Sequence, residues 1–212
     1  MVFLKSALTV LGIAPQRHQA QFPHGHRALR WRWLAKAVFG LLGVLLLGFE
    51  ARADSFDEYT VKAAYLYNFA KFVEWPRQAF PEINTPLLIC IAGQSPFGDT
   101  LAVLAGKTVE SRPVEVRYYP ELTNLERCHI VFMGRAEQGQ FKAILAQCGG
   151  RPILTVSDIG QFVQMGGMVG LIESEQRIRF AINLVAAHQS GLKLSSQLLK
   201  LATVVIKNGE GQ

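Results

Sequence analysis

The stretch YTVKAAYLYNFAKFVEWP, residues 59–76, has the spacing of an amphipathic helix and opens the part of the chain that can fold. On a period of 3.6 residues, one broad apolar stripe is predicted to be buried. The members of this stripe are Val61, Ala64, Tyr65, Asn68, Phe69, Phe72 and Val73. Lys62, Lys71 and Glu74 lie off the stripe. Because Pro76 cannot continue a helix, the helix is predicted to end at the Trp-Pro pair and to pack on the core.

Residues 1–53 are predicted to be a secretory signal peptide with a long n-region, cleaved after Ala53. Its basic part contains Arg27, Arg30, Arg32 and Lys36. An apolar run of twelve residues follows at 38–49, VFGLLGVLLLGF, and then a small-x-small cleavage pattern at 51–53. Twelve residues are short for a bilayer core about 30 Å thick, so a cleaved leader is favoured, with an uncleaved anchor as the alternative.

The basic balance of the whole chain comes from this leader. Residues 1–53 hold 7 of the 22 Lys and Arg but only one of the 16 Asp and Glu, so the remainder has 15 of each. A mature chain without net charge gives no electrostatic reason to bind nucleic acid. Residues 54–212 have the length of one domain with a proper core.

Three cysteines, Cys90, Cys128 and Cys148, all follow the leader. In an oxidising compartment two are expected to form a disulfide and the third to stay free. Cys90 lies within a predicted strand and Cys128 leads into another, so a bridge between neighbouring strands would join these two. Cys148 precedes a Gly-Gly pair at a helix end and is expected to be a lone thiol. No pair has the spacing of a zinc site.

Solid apolar runs alternate with helical patterns through the rest of the chain. The predicted strands are 87–92, 114–119, 129–133, 153–156, 169–172 and 178–184, the last two joined by a four-residue polar loop. The predicted helices after the first are 99–104, 138–147, one from about 183 to before 191, and 195–205. This order predicts an α/β single domain with a largely parallel or mixed sheet of about five to six strands flanked by helices.

Loops that follow parallel strands meet at one edge of a sheet, where α/β proteins bind ligands. The candidate residues for a small ligand at this rim are Gly93, Ser95, Gly98, Ser157 and Asp158. Two of these glycines have the spacing of a phosphate-binding loop, but Asp99 and Thr100 stand where Lys and Ser or Thr are required. The Asp99 carboxylate would repel phosphate, which disfavours a nucleotide, whereas a small neutral or anionic ligand is still compatible with the rim.

The sequence contains no recognisable catalytic or metal-binding pattern. His129 and His188 are the only histidines after the leader, and neither has a partner at metal-ligand spacing. The G-x-S-x-G motif of serine hydrolases is absent. We therefore predict no catalytic residue, no metal and no cofactor; an enzyme would require convergent titratable groups that the sequence does not reveal.

Three polar aromatic residues, Tyr67, Trp75 and Tyr119, are candidates for binding a partner protein. Tyr and Trp combine a large contact area with a polar group, which suits them to interfaces. The alternative is that they are half-buried packing residues. In addition, exposed apolar positions on the first and last helices would favour a homodimer.

Several ordered blocks resemble the YfiR family. They are 62–76 (KAAYLYNFAKFVEWP), Cys90, 128–132 (CHIVF), 154–158 (LTVSD), Phe162, 166–168 (GGM), 178–184 (IRFAINL) and 191–202 (GLKLSSQLLKLA). Together they run through essentially the whole mature chain, which is more specific than any single block.

The resemblance implies a non-enzymatic periplasmic regulator. Such a protein would bind the periplasmic sensor domain of an inner-membrane diguanylate cyclase and repress cyclic di-GMP synthesis. Redox state, through a Cys90–Cys128 disulfide, and an outer-membrane lipoprotein would relieve the repression. Some relatives carry a second cysteine pair around 162–167, which is missing here. A small-ligand-binding sensor domain is the alternative.

Overall fold

The structure is a computed structural model and describes residues 57–207. The predicted leader, its cleavage after Ala53 and the domain boundary at residue 54 lie outside the described residues. Within residues 57–207, no helix is both long enough and apolar enough to cross a membrane.

The architecture is one mixed sheet covered by helices on both faces, which confirms the predicted α/β class. The strands are β1 Val73–Glu74, β2 Leu87–Ala92, β3 Thr108–Val109, β4 Arg112–Tyr119, β5 Ile130–Met133, β6 Leu154–Ser157, β7 Val169–Ser174, β8 Arg177–Asn183, β9 Lys193–Leu194 and β10 Val204–Ile206. The α-helices are α1 Glu58–Phe72, α2 Phe141–Cys148, α3 Leu184–Gln189 and α4 Ser196–Leu201. Four 3₁₀ turns lie at Arg77–Ala79, Thr100–Leu104, Leu125–Arg127 and Arg135–Gly139.

The main sheet has eight strands in the order β10-β8-β7-β6-β5-β2-β4-β3. The pairs β7–β8 and β3–β4 are antiparallel and the other five are parallel. All residues of β2, β5 and β6 are buried, as expected for strands covered on both faces. β1 and β9 form a separate antiparallel pair.

The first helix begins one residue earlier and ends three residues before the Trp-Pro pair. The Asp57 carboxylate accepts a hydrogen bond from the Tyr59 backbone and caps α1. At Val73 the backbone becomes extended and pairs with β9, so the pairing with β9 ends the helix before Pro76 can do so. The predicted Trp-Pro stop was therefore wrong by one turn.

The buried face of α1 also differs from the predicted stripe. It consists of Lys62, Ala63, Leu66, Phe69 and Ala70. Apart from Phe69, the aromatic residues of the helix, Tyr59, Tyr65, Tyr67 and Phe72, are only partly buried against the core. Ala64 and Asn68 are exposed, and the charged Lys62 has no exposed surface. The prediction was centred on the aromatic residues, which shifted the stripe and excluded this lysine.

Three further predictions were wrong in detail. The predicted four-residue loop between β7 and β8 is a two-residue turn at Glu175 and Gln176, and the sheet has eight strands instead of five or six. The predicted last helix, 195–205, stops at Leu201 and continues as β10. Thr203 ends the helix, because its backbone N–H and its hydroxyl both donate to the Phe180 carbonyl of β8.

Candidate functional site

Three loops meet at the carboxyl ends of the parallel strands, as the topology requires. The Gln94 N–H, after β2, donates to the Glu137 carboxylate, after β5, over 3.1 Å. The Nε of Arg135, also after β5, lies 3.7 Å from Oδ2 of Asp158, after β6. These contacts create one continuous rim, and the N-terminal turn of α1 lies against it.

Lys62 on α1 forms the centre of a buried ion network at this rim. Its ammonium group pairs with Glu58, one turn earlier on α1, and with Asp158. The Lys62 and Asp158 side chains are 1% and 0% exposed. A buried charge of this kind is retained only when it is paired, so the network fixes α1 to the end of β6.

Arg135 extends the network toward solvent. Its guanidinium lies 2.9 Å from Glu58 Oε1 and 3.3 Å from Glu173 Oε2, and its side chain is half exposed. The network thus joins α1, the loops after β5 and β6, and β7. With three carboxylates and two cations, the network has a formal net charge of −1.

One atom of the network has no partner. Asp158 Oδ1 is buried and receives no hydrogen bond from the described residues, whereas Oδ2 faces Lys62, Arg135 and the Tyr59 hydroxyl. An unpaired buried acceptor costs roughly 1–3 kcal/mol. The neighbouring charge also affects Tyr59: burial, then the negative charges of Asp158 and Glu58, raise the pKa of its hydroxyl.

A groove of about 520 Å³ runs beside this network. Arg135, Asp158 and Glu173 line its polar end, and one wall is the loop 159–164. Residues of β7, β8 and β10 line the remainder, among them Leu171, Ile172, Ala181 and Val204. The groove therefore has a charged end and a largely apolar body.

The five predicted rim residues have separate roles in the structure. Gly93 has a positive φ, and a Cβ there would lie 2.1 Å from the Glu137 carboxyl carbon, so close packing requires glycine. Ser95 Oγ accepts from the Phe97 backbone, and Gly98 adopts a φ of +50°. Ser157 Oγ donates to Met133 and accepts from Ile159, so its hydroxyl is used within the loop. Of the five, Asp158 alone lines the groove.

His129 occupies a position that requires a neutral imidazole. Its Nδ1 accepts a hydrogen bond from the Leu88 backbone at 3.1 Å, and its Nε2 lies 3.0 Å from the Ala79 carbonyl. Its ring stacks on Phe80. Burial lowers the pKa of His129, the Ala79 carbonyl opposes this, and Arg112 lowers the pKa further. This histidine is a structural residue. Within residues 57–207, no group of three or more His, Cys, Asp or Glu could hold a metal ion.

The structure joins Cys90 of β2 to Cys128, two residues before β5, as the sequence predicts. Their Cα atoms are 5.9 Å apart, and both residues are buried between β2, β5 and α2. Cys148 at the end of α2 is free and buried, and burial raises the pKa of its thiol to about 11. Such a thiol is protonated at neutral pH and therefore a poor nucleophile.

The three aromatic partner candidates are all half-buried. The Tyr67 hydroxyl donates to the Thr108 carbonyl, and Trp75 packs edge-on against Phe80 and His129. Tyr119 packs against the same core cluster as the disulfide. Their role in binding a partner stays a prediction.

Sequence reasoning missed the network because its members are far apart along the chain. Lys62 and Asp158 are separated by 96 residues. The available signal was a lysine at a helical position directly between apolar neighbours, one turn after Glu58.

These features define a disulfide-bonded α/β domain with a buried ion network and an open groove at its strand ends. The chain belongs to the YfiR/HmsC-like family, whose model matches residues 59–203. That family is regulatory and not catalytic, and membership supports a role as a regulator of diguanylate cyclases in general.

Proposed function

We propose that this chain is a non-enzymatic periplasmic repressor of an inner-membrane diguanylate cyclase. The observation that carries the proposal is the family match over residues 59–203, which covers nearly all of the described domain. The basic region, apolar run and small-x-small pattern at 27–53 support export. In the periplasm the domain reaches the cyclase only through the sensor part that lies outside the membrane.

Repression of this kind shifts the equilibrium between the active and inactive states of the cyclase. The regulator holds the cyclase inactive only if it binds the inactive state of the sensor domain more tightly than the active state. The difference in binding free energy sets the limit of repression, since a ratio of about 100 in affinity corresponds to about 2.7 kcal/mol. An outer-membrane lipoprotein that binds this chain would relieve repression by competing with the cyclase.

The Cys90–Cys128 disulfide would make repression depend on the redox state of the periplasm. Cys90 lies in β2, an interior strand of the main sheet, so reduction loosens the interior of the domain and not a peripheral loop. We propose that a reducing periplasm lowers the folded fraction of the repressor and thereby releases the cyclase.

The test measures cellular cyclic di-GMP in a strain that lacks this gene, complemented with wild type or with Cys90→Ala/Cys128→Ala. We expect the level to rise on deletion, wild type to restore it, and the double variant to fail. Cys148→Ala is the control for loss of a cysteine outside the bridge and is expected to restore repression.

An unchanged level on deletion, in cells in which a candidate cyclase is expressed and active, would overturn the repressor proposal. Full repression by the double variant, present at the wild-type amount, would overturn the redox part alone. Recovery of the protein in the periplasmic fraction tests export separately.

A further inference from the structure

Within residues 57–207, the sheet face formed by β7, β8 and β10 is only partly covered. On the same face, α2 and the loop 159–164 cover the strands nearer the centre. Ile172 and Val204, which point to this face, are 42% and 47% exposed. Val204 lies opposite Ala181 in the register, whereas Ile172 lies opposite the exposed Arg179, so the apolar surface is interrupted there. Ile172, Ala181 and Val204 all line the 520 Å³ groove.

The groove has the size and composition of a small-molecule site. Ligand pockets are typically about 300–1,000 Å³, with mostly apolar walls and a few polar groups that fix orientation. Here the apolar wall includes Phe162 and Val163, both almost fully buried and therefore fixed in place. The polar groups are concentrated at one end, at the carboxyl ends of the strands.

The charge at that end favours a cation. Of the charged residues that line the groove, Asp158 and Glu173 outnumber Arg135, which already lies close to both. Arg179, opposite Ile172 in the register, is not a lining residue. An anionic head group would compete with carboxylates for Arg135. A cationic head group would instead neutralise the excess negative charge.

Within the described part of the chain, the carboxylate of Asp158 has an unpaired oxygen atom that also favours a cationic ligand. Its side chain is fully buried, it lines the groove, and its Oδ1 has no hydrogen-bond partner among the described residues. An ammonium group carries donors that suit this oxygen and has no acceptor that would conflict with it.

We propose that the groove beside Asp158 binds a small amphipathic amine, with the ammonium group at the ion network and the apolar body against Ile172 and Val204. This inference does not depend on the cyclase proposal, because it concerns binding to the isolated protein. It changes the ligand chemistry suggested by the sequence, from a neutral or anionic molecule on the glycine loops to a cation at the end of β6.

The probes are n-hexylamine, n-hexanol and hexanoate, which share an aliphatic chain and differ in head-group charge. Binding to the purified, oxidised protein is measured by titration calorimetry at pH 7 and by shifts of backbone amide NMR signals. We expect hexylamine to bind more tightly than hexanol, hexanoate to bind most weakly, and the shifted amides to lie in the loop 159–164, β7 and β10. Equal affinity for the three probes, or shifts elsewhere, would overturn the proposal.

Two variants test whether the amine binds in this groove. Asp158→Asn removes the charge at the polar end, and hexylamine affinity should fall roughly 10- to 100-fold, the range for losing a hydrogen bond to a charged group. Because Asp158 pairs with Lys62, this variant is used only if its NMR spectrum shows a folded protein. Ile172→Arg places a cation in the groove at an exposed position and should abolish binding without unfolding the domain.

Val103→Arg is the matched control, since Val103 is 58% exposed and lies outside the groove. It should bind hexylamine with wild-type affinity. If Ile172→Arg binds hexylamine as tightly as Val103→Arg does, the groove is not the site.

Discussion

Lys62 shows how much one charged residue can determine in this domain. Its four-carbon stem passes through the apolar face of α1, and its ammonium group meets two carboxylates at the end of that path. The Tyr59 ring lies 4.4 Å from the ammonium and adds a cation–π contact. The residue therefore specifies where α1 sits along the sheet as well as contributing to stability.

Replacing Lys62 with Met is expected to lower the free energy of unfolding by roughly 3 kcal/mol, because Asp158 would stay buried without its closest cation. The double variant Lys62→Met/Asp158→Leu should recover most of that loss, since no unpaired charge remains. Urea unfolding followed by circular dichroism measures both. Lys71→Met, at an exposed position of the same helix, should change stability by less than about 0.5 kcal/mol. Equal urea midpoints for Lys62→Met and wild type would contradict the role assigned to the network.

His129 gives the domain a dependence on pH. The unfolded chain binds a proton near the ordinary histidine pKa of 6.5, whereas the folded protein binds it only at lower pH. Between these two values the unfolded state holds more protons, so stability rises with pH there. The contribution is complete above about pH 6.5 and is lost as the pH falls through the folded pKa.

We therefore expect the free energy of unfolding to decrease from pH 7 to pH 5, by up to about 1.4 kcal/mol per pH unit from this residue. His129→Gln should be less stable than wild type at pH 7 and should show a shallower dependence on pH. His188→Gln, at an exposed position, serves as the control and should retain the wild-type slope. A slope that is the same in all three proteins would show that His129 does not contribute to the pH dependence.

At the scale of elements, the two hairpins share an uncommon turn. Glu110 and Ser111 between β3 and β4, and Glu175 and Gln176 between β7 and β8, all have positive φ. A two-residue turn of this type matches the twist of the strands but normally contains Asn and Gly. The absence of glycine explains why the sequence predicted a longer polar loop at Glu173–Gln176.

Gln176→Gly should increase the free energy of unfolding by about 0.5–1 kcal/mol, because glycine adopts the left-handed conformation without steric cost. Ser174→Gly, within β7, should have the opposite effect, since glycine weakens a strand. Thermal unfolding distinguishes the two. A decrease in stability for Gln176→Gly would mean that the glutamine side chain makes a contribution larger than the strain.

The elements predicted best from sequence are those that one local pattern identifies, either a continuous apolar run or a capping residue. β2, β5 and β6 read as solid apolar runs because both of their faces are covered, and helix α3 begins at Asn183, which caps it. β10 was missed because Leu198, Leu199, Ala202 and Val205 have helical spacing. The hydrogen bonds from Thr203 to β8 override that local pattern.

At the scale of the whole molecule, the disulfide joins the interior strand β2 to the segment that leads into the neighbouring strand β5. It closes a loop with a sequence separation of 38 residues, for which the chain-entropy model gives about 4 kcal/mol of stabilisation. Cys148 lies in the same core cluster but is free and protonated. Only the bridge should therefore respond to mild reductants.

Addition of dithiothreitol to the wild-type protein is expected to lower its free energy of unfolding by about 4 kcal/mol. The Cys90→Ala/Cys128→Ala variant should be insensitive to dithiothreitol, and Cys148→Ala should respond as wild type does. Urea unfolding with and without reductant gives the comparison. An equal response of all three proteins to reductant would rule out the bridge as its source.

The candidate site was only partly predictable, because it belongs to the whole molecule. The meeting of the loops after β2, β5 and β6 follows from parallel strand order, and that order could be inferred from the apolar runs. The ion network and groove depend on side chains from α1, three loops and β10. No local pattern connects these positions, and the burial of Lys62 contradicts the usual preference of lysine for solvent.

The first helix of the described chain packs against segments close to its other end. Phe69 of α1 packs edge-on against Phe180, the Tyr65 hydroxyl donates to the Ile178 carbonyl, and the Phe72 carbonyl accepts from Ser195. During synthesis on the ribosome, the first helix therefore has to wait for partners more than a hundred residues later in translation. A nascent chain with this topology therefore cannot close its core until the last described segments have been synthesised.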